Sequence, residues 1–65
     1  MAVTKINPDN GEAYLLLGGC FDLLGNNDEA IKNVQKSVEI FQKQRDTERF
    51  KQSVVILRRL MGAKN

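Results

Sequence analysis

Histidine and tryptophan are absent from this sequence, and cysteine and proline occur once each, as Cys20 and Pro8. A lone thiol excludes an intrachain disulfide. Without histidine, one thiol among scattered carboxylates makes no transition-metal site. The missing histidine also removes the commonest general base near neutral pH. Cys20 lies in an apolar run with no base within several residues to activate it, so it is expected in the core as a small hydrophobe. Long apolar runs are lacking too. No stretch approaches the ~18–20 residues of a membrane span, and residues 1–10 have no signal-peptide apolar segment. The expectation is a soluble, cytoplasmic chain with no membrane partner and no cofactor.

Size adds a constraint. A chain of 65 residues buries only about 60% of the surface its unfolded form exposes. Small folds usually add disulfides, a metal or a partner. With the first two excluded, self-association or a larger parent protein is the expected support.

The net charge of +2 hides an asymmetry. Residues 1–31 carry one base, Lys5, against five acids, Asp9, Glu12, Asp22, Asp28 and Glu29, a balance of −4. Residues 32–65 carry nine bases against three acids, Glu39, Asp46 and Glu48, a balance of +6. Such halves attract each other, within one chain or between chains.

Residues 6–11, Ile-Asn-Pro-Asp-Asn-Gly, carry turn chemistry. A first helix is expected over 12–24, stopped by Gly25 as a left-handed cap. Asn27 or Asp28 is expected to cap the second helix, with Asp28 and Glu29 at its positive end. In that helix Ala30, Ile31, Val34, Val38 and Phe41 recur on one face, opposite Lys32, Asn33, Gln35, Lys36 and Glu39. A third helical pattern sets Phe50, Val54, Leu57 and Met61 on one stripe, widened by Ile56 and Leu60. Asp46 or Thr47 is its expected N-cap and Gly62 its stop. Only Arg45-Asp46-Thr47 separates the second and third helices. Hydrophobic density drops from Gln42 to Arg49, which favours a turn. The alternative is one helix of about 34 residues, which would fuse helices two and three in a domain-swapped oligomer.

Residues 11–44 resemble the tetratricopeptide repeat, a helix–turn–helix unit of about 34 residues. The series Tyr14-x2-Leu17-Gly18-x2-Phe21, then Ala30-x3-Val34, fits its spacing without a gap, and Asp28-Glu29-Ala30-Ile31 looks like the start of its second helix. Physically, Gly18 and Ala30 are small where two helices cross closely. Tyr14, Leu17, Phe21 and Val34 fill the space around that crossing, and Ser37 is a third small residue one turn on. Residues 1–10 resemble the tail of a preceding repeat ending in its proline, Pro8. Gln42 stands where the repeat's own terminal proline would be, and Asn27 where the family often has an aromatic. Residues 45–65 look like a C-terminal capping helix. The resemblance thus implies an all-α fold, a tetratricopeptide-like hairpin plus a third helix, divided as 1–10, 11–44 and 45–65.

The family lines its inner, ligand-facing surface with the first helix of each repeat. Carried onto this sequence, those positions are Glu12, Leu15, Leu16, Gly19, Asp22 and Leu23. That helix is apolar on nearly all sides, and a helix apolar all round is normally covered all round. The expected function is therefore protein–protein interaction, as a scaffold or adaptor that forms a homo-oligomer, a dimer in the first instance. With no base on helix one, a clamp for a peptide carboxylate is not expected. The rival partner is nucleic acid, through Arg45, Arg49, Lys51, Arg58 and Arg59. These bases come without an aromatic platform or glycine-rich phosphate loop, and Asp46 and Glu48 dilute them. Neither a nucleophile elbow nor a pair of carboxylates on one pocket is visible, so catalysis is not expected.

Overall fold

A computed structural model describes residues 10–63 as three α-helices: α1 (Gly11–Leu23), α2 (Asn27–Lys43) and α3 (Thr47–Ala63). The expected tail of a preceding repeat at 1–9 and the final residues 64–65 lie outside the described residues.

Each helix starts on a side-chain cap that accepts from a backbone N–H otherwise left without a partner. The Asn10 Oδ1 accepts from Ala13 at 3.1 Å, and the Asp46 Oδ1 accepts from Arg49 at 3.3 Å. Asn26 caps α2 through a longer bond from Glu29, at 3.5 Å. The cap is thus Asn26, not Asn27 or Asp28 as expected from sequence. The reason lies in the preceding turn, where the Asn26 N–H donates to the Phe21 carbonyl and holds Asn26 outside the helix.

Both turns have the same form. Gly25 donates to the Asp22 carbonyl and Asn26 to that of Phe21; twenty residues on, Arg45 donates to Gln42 and Asp46 to Phe41. These paired bonds make a Schellman cap, which needs one residue in the left-handed region. Gly25 supplies it with φ 79°, and Arg45 supplies it with φ 58°. Helices two and three are therefore separate, joined through Gln44-Arg45-Asp46.

The end of α3 departs from expectation. Gly62 does not stop the helix, which runs on to Ala63. Gly25 is the only described glycine with positive φ, so Gly62 makes no left-handed cap.

α2 lies between the other two helices, and α1 and α3 approach each other only slightly. The molecule measures 40 × 25 × 13 Å, and its thin dimension is close to the roughly 10–12 Å diameter of one helix. It is a single layer. The core follows the central helix: Ala30, Val34, Ile40 and Phe41 of α2 are buried, with Leu60 of α3. Leu15, Phe21, Ile31, Val38, Ile56 and Leu57 pack partly buried around Ala30, Val34 and Leu60.

The α3 stripe is rotated from the expected one. Met61 is exposed, and wholly buried Ser53 takes the position facing α2. Its hydroxyl donates to the Phe50 carbonyl at 2.9 Å, and the equally buried Ser37 donates to Val34 at 2.7 Å. A buried hydroxyl satisfied within its own helix avoids the penalty of an unpaired donor, so serine can act here as a small residue.

Candidate interaction surface on α1

Two glycines, seven residues apart and so on one side of α1, fix how that helix meets α2. A Cβ on Gly18 would run into the Val34 Cγ2 and stand 3.2 Å from the Ala30 carbonyl oxygen. A Cβ on Gly11 would stand 2.8 Å from the Phe41 ring. The helices are antiparallel, so the start of α1 meets the end of α2. Gly18 was legible from spacing. Gly11 read as a turn residue, and its i, i+7 relation to Gly18 was the signal for a packing role.

At 100° per residue, the side of α1 opposite Gly18 carries Leu16, Gly19, Cys20 and Leu23. Leu16 is 68% exposed and Leu23 88%, with Leu24 at the C-cap 78%. Gly19 has open space where a Cβ would be. Cys20 is exposed, not in the core as expected. A single layer buries only the α2-facing side of α1, which leaves the rest of its apolar run in solvent.

The six inner-face positions separate into three groups. Leu16, Gly19, Asp22 and Leu23 are exposed. Leu15 is half-buried against the core. Glu12 is engaged within the chain: its Oε2 accepts from the Arg49 Nη1 at 2.8 Å, tying the start of α1 to the start of α3. That hydrogen bond and the Glu12 charge, with a lesser contribution from Asp46, raise the Arg49 guanidinium above its ordinary pKa. Of the expected packing set, Gly18, Ala30, Val34 and Ser37 are buried, while Tyr14, Leu17 and Phe21 are half-buried.

Two open grooves flank Phe41. One, of about 350 Å³, is lined by Asn10, Gly11, Glu12, Gln44, Asp46 and Arg49. The other, of about 320 Å³, lies among Gln42, Arg45, Asp46, Thr47 and Phe50. Among the described residues no cluster of three or more His, Cys, Asp or Glu side chains could hold a metal ion. No described helix is long and apolar enough to cross a membrane. Compared with known proteins, the chain matches no family model, no curated protein and no solved structure.

Proposed function

We propose that this chain is a protein–protein interaction module of tetratricopeptide type, a scaffold that self-associates through the outer face of α1. One observation carries the proposal: Leu16 and Leu23 share a helical face and are 68% and 88% exposed. Burying a leucine side chain is worth about 1.5–3 kcal/mol. Two leucines a helical heptad apart therefore make a strong site for another apolar surface. The close approach of Gly18 to Val34 and Ala30 supports the resemblance to the tetratricopeptide hairpin.

The proposed activity is binding without a catalytic step, and polypeptide is the favoured partner class. Nucleic acid is less well supported. Arg49 is engaged by Glu12, and the adjacent Arg58 and Arg59 diverge by about 100° around α3.

Absolute molar mass by light scattering, over a wide range of protein concentration, tests the proposal. The wild type should exceed the monomer mass, and Leu16→Glu with Leu23→Glu should return it to monomer without loss of helicity. Leu15 is unsuitable for this test, because its half-buried side chain packs on the core. A wild type that stays monomeric throughout would reject self-association. Unchanged assembly of the double variant would remove α1 from the contact.

A further inference from the structure

The turn between α2 and α3 concentrates its strain in one residue. Arg45 holds a φ of 58°, a left-handed conformation that is costly for any residue with a Cβ. The matching turn after α1 avoids that cost with Gly25. The second turn lies at the surface, where Gln42, Lys43, Gln44, Arg45 and Thr47 are all exposed. Neither glycine nor proline occurs between Gly25 and Gly62 to oblige the chain to turn there.

The backbone bonds of this turn have equivalents in a straight helix. Arg45 donates to the Gln42 carbonyl and Asp46 to that of Phe41. In a continuous helix the two donors trade acceptors, Arg45 to Phe41 and Asp46 to Gln42, and no pair is lost. The result is one helix over residues 27–63, about 55 Å long. α3 then leaves its own α2, its main support, since α1 and α3 approach each other only slightly. A second copy opened in the same way offers an identical α2. The register suits an exchange. Ala30 and Leu60 belong to one core cluster and stand equally far from Arg45 along the chain. Two antiparallel helices crossing at Arg45 on a two-fold axis bring Ala30 of each copy to Leu60 of the other. The bond from the Asn27 Nδ2 to the Leu60 carbonyl and the Glu12–Arg49 pair can re-form in the same way between copies.

We infer that Arg45 is the hinge of a helix exchange, in which two copies open at residues 44–46 and each seats its α3 on the α2 of the other. Each contact between α3 and α2 is replaced by its equivalent across copies, and the strain at Arg45 is relieved twice per dimer. Short connections under strain favour such exchange. The turn holds α3 at an effective concentration on the order of millimolar to its own α2, so a second copy competes at comparable chain concentration. Exchange requires α3 to come off α2, so it is reached by refolding rather than by concentrating folded chains. It does not depend on the α1 contact, which joins chains that are already folded.

The test uses a chain whose α1 face is removed by Leu16→Glu and Leu23→Glu. Refolded from urea at about millimolar concentration, it should give a dimer by light scattering, and roughly a hundredfold more dilute it should give monomer. Adding Arg45→Gly, which removes the strain of the turn, should raise the concentration needed by at least about tenfold. Arg45→Ala should dimerise as readily as its parent. Cross-linking then identifies the exchange. With Cys20→Ser, Glu12→Cys and Arg49→Cys added, a short bifunctional thiol reagent should join two chains in the dimer fraction. In the monomer fraction it should link within one chain. Links within one chain in both fractions would overturn the exchange. So would monomer alone after concentrated refolding, or an Arg45→Gly chain that dimerises as readily as its parent. None of these outcomes bears on the α1 proposal, which is read on the folded wild type.

Discussion

Gly18 and Arg45 are the residues whose identities conflict most with their helical surroundings, and each conflict has a local cause. An exposed helical glycine replaced by alanine usually gains about 1 kcal/mol. At Gly18 the sign should reverse, since the new methyl would collide with Val34, a side chain stiff at χ1. Overpacking of this kind costs about 1–3 kcal/mol. Gly18→Ala should therefore lower the urea midpoint. Val34→Ala should offset part of that loss when the two are combined, although it destabilises the protein on its own. Additive effects would mean that the two residues do not touch.

Arg45 presents the opposite case. Its φ of 58° is a conformation that side chains adopt at a cost of about 1–2 kcal/mol. Arg45→Gly should stabilise the chain by about 1 kcal/mol, and Gly25→Ala should destabilise it by a similar amount. Equilibrium denaturation distinguishes these outcomes from a neutral pair. Arg49 contributes in a different way. Its guanidinium is raised above its ordinary pKa, so its linkage contribution is fully present below the unfolded value and fades only in strong alkali. Between about pH 6 and 9, folding stability should carry no slope from this residue. A pH series on Glu12→Gln, run beside the wild type, checks that.

At the scale of elements, α2 and α3 were readable because their apolar residues recur with a helical period, and α1, apolar on nearly all sides, because Gly25 marks its end openly. The second turn was harder to read. It repeats the first, with Phe41 matching Phe21 and Asp46 matching Asn26, but it puts arginine where the first has glycine. A left-handed residue held by the backbone bonds of a Schellman cap leaves little trace in composition when it is not glycine. The rotation of α3 was hidden for a similar reason, since Ser53 does not read as apolar. Its hydroxyl is satisfied by Phe50 and its small size suits the approach to α2. Ser53→Leu should destabilise by overpacking, by about 1–3 kcal/mol. The same change at exposed Gln52 should be nearly neutral. Equal effects at the two positions would place the α2-facing side of α3 elsewhere.

For the whole molecule, what matters is that the helices form one layer. Local pattern does not reveal this. An apolar run on α1 reads as core in a chain met for the first time, which is why Cys20 was expected inside, while the tetratricopeptide resemblance put Leu15 on the ligand-facing side. Layer geometry reverses both, because α2 covers only one side of α1 and α3 barely reaches it. The surplus of leucine was legible, and so was the acid-to-base asymmetry along the chain. That α1 leaves its leucines in solvent became visible only when α2 was seen to lie between α1 and α3. Both features are consistent with a small chain that gains stability from association.

Cys20 offers the most direct test of the α1 face, as the chain's one thiol and an exposed one on the same side as Leu16 and Leu23. Its rate of reaction with a small thiol reagent should be measured from dilute to concentrated protein, with molar mass followed in parallel. The rate should fall as assembly proceeds and recover in Leu23→Glu. A rate that stays constant while the mass rises would contradict the central claim and move the contact off α1.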